Sequence, residues 1–247
     1  MENKIDIINL EHVDKSYGKK KILQDICLRV EEGSIFGLLG PSGCGKTTTV
    51  KIIAGVSNKD SGKVYVLNSE MPNLNTMSQI GYMAQSAALY NDLSAYDNFK
   101  FFGSLYKLKK EELEERIQYL AKLTNLEQDL NKRVKNFSGG MKQRLSLAIA
   151  LIANPKVLIL DEPTVGIDPV LRKSIWDELY RLADSGVSIL VTTHVMDEAV
   201  KCHKLAMMRE GRVLAVGTPE QIKQEANVES LEDAFIYFGK LGDNNEN

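Results

Sequence analysis

Ile35-Phe36-Gly37-Leu38-Leu39 followed by Gly40-Pro41-Ser42-Gly43-Cys44-Gly45-Lys46-Thr47 is the stretch that decides the fold of this chain. A short apolar run bounded by polar turns reads as a central strand covered on both faces. A glycine-rich turn comes next, and residues 48–54 then read as a helix ended by Gly55. Strand, glycine turn and helix in that order make a P-loop. The glycines let backbone N–H groups turn inward, and the helix N-terminus adds positive potential. Lys46 is placed to reach the β- and γ-phosphates of a nucleotide, and the Thr47 hydroxyl to sit on Mg2+. The phosphate-binding set runs from Gly40, Pro41, Ser42, Gly43, Cys44 and Gly45 through Lys46 and Thr47 to Thr48.

Two other apolar runs, residues 157–160 and 187–191, have the same central-strand character, and helices follow them. That βα order predicts an α/β sheet. Asp161-Glu162 ends the first of these strands. Ligands bind outside the carboxyl ends of such strands, so Asp161 is expected to hold Mg2+, through water, and Glu162 to orient or deprotonate the attacking water. Residues 5–10, 22–30 and 63–67 alternate instead, as half-buried antiparallel strands do. Residues 205–208 and 213–216 flank Arg209-Glu210-Gly211-Arg212 as a hairpin.

Between roughly residues 89 and 155 the periodicity is helical, which predicts a helical subdomain inserted into the core. Ser94-Ala95-Tyr96-Asp97 reads as a capping box in which hydroxyl and carboxylate satisfy early backbone donors. Ser138-Gly139-Gly140-Met141 opens a later helix. Alone it is either a glycine-rich entry to a buried helix or a second phosphate-facing helix start. One P-loop suffices for one nucleotide, so the second reading implies a site shared between two chains.

The 247 residues can bury a substantial core, and 43% hydrophobic with 26% charged content is ordinary for a globular protein. A net charge of −2 gives no bulk signal for nucleic acid or anionic membrane. No apolar run is long enough to span a bilayer, and Met1-Glu2-Asn3-Lys4-Ile5-Asp6 has no signal-peptide core. Cys27, Cys44 and Cys202 lack metal-ligand spacing and are expected to be reduced cytosolic thiols, with Cys44 a candidate for alkylation; His12 and His203 fit no motif.

Taken in order, these pieces resemble the ATP-binding-cassette (ABC) ATPases from about residue 8 to 217. They are the P-loop, Gln85, the Ser138-Gly139-Gly140-Met141 signature, Asp161-Glu162, the Gly166-Ile167-Asp168 turn and His194. The resemblance implies a P-loop core, an antiparallel β subdomain and a helical subdomain over residues 1–220, with a short helical tail over 221–247. It implies ATP and Mg2+ as cofactors. It also implies that Tyr17 stacks on adenine, that Gln85 joins the Mg2+ site and links it to the helical subdomain, that Asp168 contacts a second cassette, and that His194 senses the γ-phosphate. The signature departs from the commonest form at both ends, with Phe137 before Ser138 and Met141 after Gly140.

Within the family, residues 89–106 and the tail 230–236 are similar to the ATPase subunits of ABC-2-type exporters, which act with a separate membrane permease. Residues 90–106 hold six of the sixteen Tyr and Phe, more than one helix face can bury, and the family's permease groove lies beside the Gln85 loop. The resemblance implies a second ATPase subunit, a homodimer foremost, and an integral membrane permease as partners. It implies a cytoplasmic position on the inner face of the cell membrane, no direct nucleic acid, and a transported substrate that this chain does not bind. The alternative from another class is a soluble ABC protein acting on ribosomes or nucleic acid. Its usual marks, a second cassette or long coiled-coil insertions, do not occur in this sequence.

Overall fold

The computed structural model describes residues 5–85 and 88–244. In chain order, the long strands β1 (Asp6–Tyr17) and β2 (Lys20–Glu31) form a hairpin, and β3 (Ile35–Leu39) enters the core. The P-loop joins β3 to α1 (Lys46–Ile53); β4 (Ser61–Val66), β5 (Ser69–Glu70), α2 (Leu74–Met77) and β6 (Ile80–Met83) follow. The helical stretch holds α3 (Ala95–Leu105), α4 (Lys110–Leu123) and α5 (Gly139–Ala150). The chain then returns to the sheet with β7 (Val157–Asp161), α6 (Pro169–Asp184), β8 (Ser188–Thr193) and α7 (Met196–Ala199). It closes with the hairpin β9 (Lys204–Arg209) and β10 (Arg212–Gly217), then α8 (Pro219–Ala226) and α9 (Leu231–Asn244).

Two sheets result. One is antiparallel, in the order β2-β1-β4-β5; the other runs β10-β9-β3-β8-β7-β6 and is parallel except for its β9–β10 edge. Every residue of β3, β7 and β8 is buried, as continuous apolar runs require when both faces are covered. Parallel pairing of Leu39 with Thr193 and of Asp161 with Thr192 brings the carboxyl ends of the three central strands level. The P-loop, the acidic pair and His194 all leave from that edge.

Strand β8 ends at Thr193, directly before His194 as the sequence reading places it, and the hydroxyls of Thr192 and Thr193 find buried carboxylate partners. Two local outcomes differ from the sequence reading. Strand β1 extends to Tyr17 because irregularities in its pairing carry it past the break in alternation after Leu10. At α3, Ser94 accepts from the Asp97 N–H as expected, but the Asp97 carboxylate accepts from the Ser94 hydroxyl and not from a backbone donor.

The helical layer packs Phe99, Ile117, Leu120 and Leu145 into one core with Leu158 and Val191 of the sheet. Met141, in place of the commoner polar residue, joins this core from its rim. Of the six aromatics at 90–106, Phe99 is buried and Tyr96 and Tyr106 pack against the core, while Tyr90, Phe101 and Phe102 form an edge-to-face and tilted ring cluster at the surface. Among the described residues, no helix is long and apolar enough to cross a membrane.

Candidate functional site

The P-loop geometry is set by packing on both sides. At Gly40 a Cβ would lie 2.2 Å from the Met208 carbonyl oxygen, and at Gly45, with φ of 112°, one would meet Leu23 at 2.7 Å. Only glycine lets the loop pass between β2 and β9 at these two points. Lys46 is 4% exposed, and its Nζ donates to the carbonyls of Gly40 (2.6 Å) and Pro41 (3.0 Å). The same ammonium lies 4.0 Å from Glu162 Oε1. A cleft of about 260 Å3 opens over the loop, lined by Tyr17, Lys20, Lys46, Thr47, Gln85 and Glu162 among others. Tyr17 is half exposed there, with the Lys15 ammonium 5.4 Å from its ring centre. Gln85 is exposed at the rim, and Ser86 and Ala87 beyond it lie outside the described residues.

Asp161 is fully buried. Its Oδ1 accepts from Thr192 Oγ1 at 2.5 Å and from Thr47 Oγ1 at 3.3 Å. Its Oδ2 is buried and finds no hydrogen-bond donor among the described residues. A buried carboxylate oxygen without a partner carries a large desolvation cost, which a cation or a cation-bound water relieves. Thr47 and Asp161 therefore form a hard-oxygen donor pair suited to Mg2+. The Tyr82 hydroxyl, on the neighbouring strand β6, is likewise unpartnered; burial, with the Asp161 charge second, pushes its pKa up to about 12.

Glu162 takes a left-handed backbone with φ of 54°, uncommon for a non-glycine residue and typical of strained functional positions. It is held there from two sides. Its N–H donates to Thr192 O (3.2 Å) and Thr192 Oγ1 (3.0 Å), and its carbonyl accepts from Gln143 Nε2 at 2.8 Å. The carboxylate is 12% exposed and meets His194 Nδ1 at 3.1 Å. His194 itself is 43% exposed, so the pair faces the cleft edge.

The structure thus gathers Tyr17, Gly43, Gly45, Lys46, Thr47, Thr48, Gln85 and Glu162 around one cleft, with Asp161 and His194 in direct contact with that set. It does not bring in Ser138, Gly139, Gly140 or Asp168, none of which lines the cleft. Ser138 caps α5, its Oγ accepting from the Met141 N–H at 3.2 Å. Asp168 caps α6, accepting from the N–H groups of Val170 and Leu171 at 3.1 and 3.0 Å. A Cβ on Gly139 would meet nothing, while one on Gly140 would approach the Gly166 carbonyl at 3.0 Å. Ser138, Gly139, Val165 and Val170 are exposed, and Gly140 lies against the Gly166 carbonyl next to Val165.

Four contributors escaped the sequence reading. Thr192 bridges Asp161 and Glu162, and Gln143 ties α5 to Glu162. Lys20 lines the cleft beside Tyr17, and the cation run Lys19-Lys20-Lys21 was its available signal. Glu198 is 3% exposed and accepts from Thr164 Oγ1 and Thr193 Oγ1, which fastens the segment after Glu162 to the end of β8. Cys44 is a correction of another kind. It is buried, and burial pushes its thiol pKa up, which is the opposite of the low-pKa, accessible setting that alkylation needs.

The comparison with known proteins decides the family. Residues 23–165 match the family described as ABC transporter. This chain belongs to that family. Its fold is the ABC ATPase cassette, which binds ATP. It is 39% identical over 221 residues to the Nod factor export ATP-binding protein I of Rhizobium leguminosarum bv. viciae, covering 88% of this chain and 71% of the relative. It is 38% identical over 235 residues to ABC transporter G family member 20 of Dictyostelium discoideum, covering 94% of this chain and only 32% of that longer protein. The dimeric structure of a bacterial ABC transporter cassette superposes with a TM-score of 0.80 at 27% identity, covering 85% of this chain and 98% of that one.

Proposed function

We propose that this ABC cassette is the ATP-hydrolysing subunit of an exporter, closing as a dimer around two ATP to drive substrate movement through a separate membrane permease. The observation that carries this reading is the Asp161–Thr47 pair, with an unpartnered carboxylate oxygen beside the P-loop and Glu162 next to it. In this reading Thr47, Asp161 and Gln85 would hold Mg2+, which would supply positive charge to the β- and γ-phosphates. Lys46 exchanges its P-loop carbonyl partners for phosphate oxygens. Glu162 orients and deprotonates the attacking water, and His194 reports the γ-phosphate through its contact with Glu162. Tyr17 stacks on the base.

The other half of each site comes from Ser138, Gly139 and Gly140 of a second copy, with Asp168 at the seam, since Ser138, Gly139 and Asp168 are exposed and none of the four lines its own cleft. Residues 1–220 act as the cassette and 221–247 as a tail. The permease contact falls on the groove of about 210 Å3 lined by Val56, Met77, Tyr82, Phe102, Tyr106 and Ile149. That contact holds the chain on the inner membrane face, and the transported substrate is recognised by the permease. Export in particular is supported by the Nod factor export relative.

Replacing Glu162 by Gln tests the assignment. Phosphate release should fall ~10²–10⁴-fold while ATP binding persists, and an ATP-loaded dimer should elute on size-exclusion chromatography. A variant that hydrolyses normally and stays monomeric with ATP would sink both the catalytic role and the shared site.

A further inference from the structure

We propose a second metal site in the antiparallel sheet, formed by His12, Asp25 and Cys27 and suited to Zn2+ or a similar borderline-soft divalent ion. All three are exposed, and His12 stands 13 positions from Asp25 and 15 from Cys27, so the sequence does not announce them together. The β1–β2 pairing brings them together. His12 Nδ1 lies 2.7 Å from Asp25 Oδ1 and 3.6 Å from Cys27 Sγ, and the three potential ligand atoms all fall within 4.8 Å of one another.

The backbone is shaped to achieve this. Leu10 pairs with Leu28 and Val13 with Ile26, so Glu11 and His12 together oppose Cys27 in a bulge. The next interval reverses the pattern: Val13 pairs with Ile26 and Lys15 with Leu23, so Gln24 and Asp25 oppose Asp14. His12 and Asp25 are thus bulge residues on opposite strands, each left-handed, with φ of 51° and 55°. Bulges re-aim side chains, and non-glycine residues in this region mark positions that the surroundings enforce. The enforcement is visible. Asp14 Oδ1 accepts the Asp25 N–H at 3.1 Å, and the His12 N–H donates to Cys27 Sγ at 3.3 Å. Gly62 of β4 presses on the first bulge so closely that a Cβ there would lie 2.3 Å from the His12 carbonyl oxygen.

The donor set selects the ion. One thiolate, one imidazole and one carboxylate leave a fourth tetrahedral position open to water, and sulfur with nitrogen favours Zn2+ over Mg2+. Bond lengths of this class separate nitrogen and sulfur ligands by about 3.5 Å, which matches the His12–Cys27 distance. The Asp25 carboxylate needs to withdraw from its 2.7 Å approach to His12 by only about 0.6 Å, which an exposed side chain allows. The cluster opens on a concavity of about 640 Å3 that His12 and Cys27 line with Asn9, Glu11, Arg29 and Lys204, which gives the ion an entry path.

The test is Co2+ titration of the reduced, chelator-treated full chain without nucleotide. One equivalent should produce a thiolate-to-cobalt charge-transfer band that Zn2+ removes by displacement and excess Mg2+ does not. Cys27→Ser should abolish the band. His12→Asn, which tolerates the left-handed backbone, should weaken Co2+ binding at least about tenfold. Cys44 and Cys202 are buried, so they serve as internal controls for thiolate chemistry. A band absent in the native chain, or unchanged in Cys27→Ser, overturns the site. Should a variant fail to fold, the unaltered chain decides: Zn2+ protects Cys27 from iodoacetamide if the site is real, and equal labelling with and without Zn2+ overturns it.

Discussion

His194 Nδ1 stands 3.1 Å from Glu162 Oε1 across the ends of two adjacent parallel strands. Sheet register fixes this distance, because Asp161 pairs with Thr192 and each residue of the contact follows its strand by a step or two. The Thr192 hydroxyl then serves both acids: it donates to Asp161 and accepts from the Glu162 N–H. One threonine therefore ties the Asp161 carboxylate to the Glu162 backbone, where Glu162 takes its left-handed turn.

Removing the imidazole should leave Glu162 less firmly aimed. His194→Ala is expected to lower kcat by about 10²-fold with little change in KM for ATP, because a misplaced group costs rate more than binding. Steady-state phosphate release over a range of ATP concentrations checks this. An unchanged kcat would mean that the Glu162 contact has no part in turnover.

Thr192→Val keeps the shape of a buried β-branched residue but takes the better of the two donors from Asp161 Oδ1. Leaving a buried carboxylate short of a donor should lower stability by about 1–3 kcal/mol. Urea denaturation at neutral pH measures the loss, and Thr192→Ser, which restores the hydroxyl, should recover most of it.

The central sheet and the P-loop were legible because their signals are local: continuous apolar runs, two obligatory glycines and the residues directly after strand ends. Thr192 was hidden because its value depends on strand register, which sets it against Asp161 31 positions away, and Glu198 because its partner Thr164 lies 34 positions away in the segment after β7. The His12–Asp25–Cys27 cluster was hidden for the same reason, with two bulges added that no alternation pattern encodes. Capping roles were readable at Ser94 and Ser138, since a hydroxyl three residues before a helical N–H acts within one turn.

Thiol reactivity should separate the three cysteines sharply. Cys27 is exposed, whereas burial raises the pKa of Cys44 and pushes Cys202 up to about 12. In metal-free native protein, one equivalent of iodoacetamide should react fast at Cys27 and the other two thiols only on unfolding, as peptide mapping would record. The pH dependence has a definite sign. Above the ordinary thiol value of 9.0, the unfolded chain releases protons that folded Cys202 keeps until about 12. Stability should therefore fall as pH rises through that window. Cys202→Ala should make the decline shallower.

Gly139→Glu separates the two possible roles of the signature. Within one chain the change is tolerable: a Cβ at Gly139 meets no atom, and the residue opens α5, where an acidic side chain is favoured by the helix dipole. Unfolding of the isolated chain should shift by no more than about 0.5 kcal/mol. Between chains the change is adverse, because the new carboxylate would face the γ-phosphate in the partner's cleft and repel it. Nucleotide binding to the monomer should survive, since Ser138 and its neighbours do not line that chain's own cleft. ATP-dependent dimerisation, measured by light scattering in a Glu162→Gln background, should be lost. A dimer that forms as readily with the Gly139→Glu substitution as without it would mean that the signature surface points away from the nucleotide, leaving Ser138 and its glycines as an ordinary helix entry.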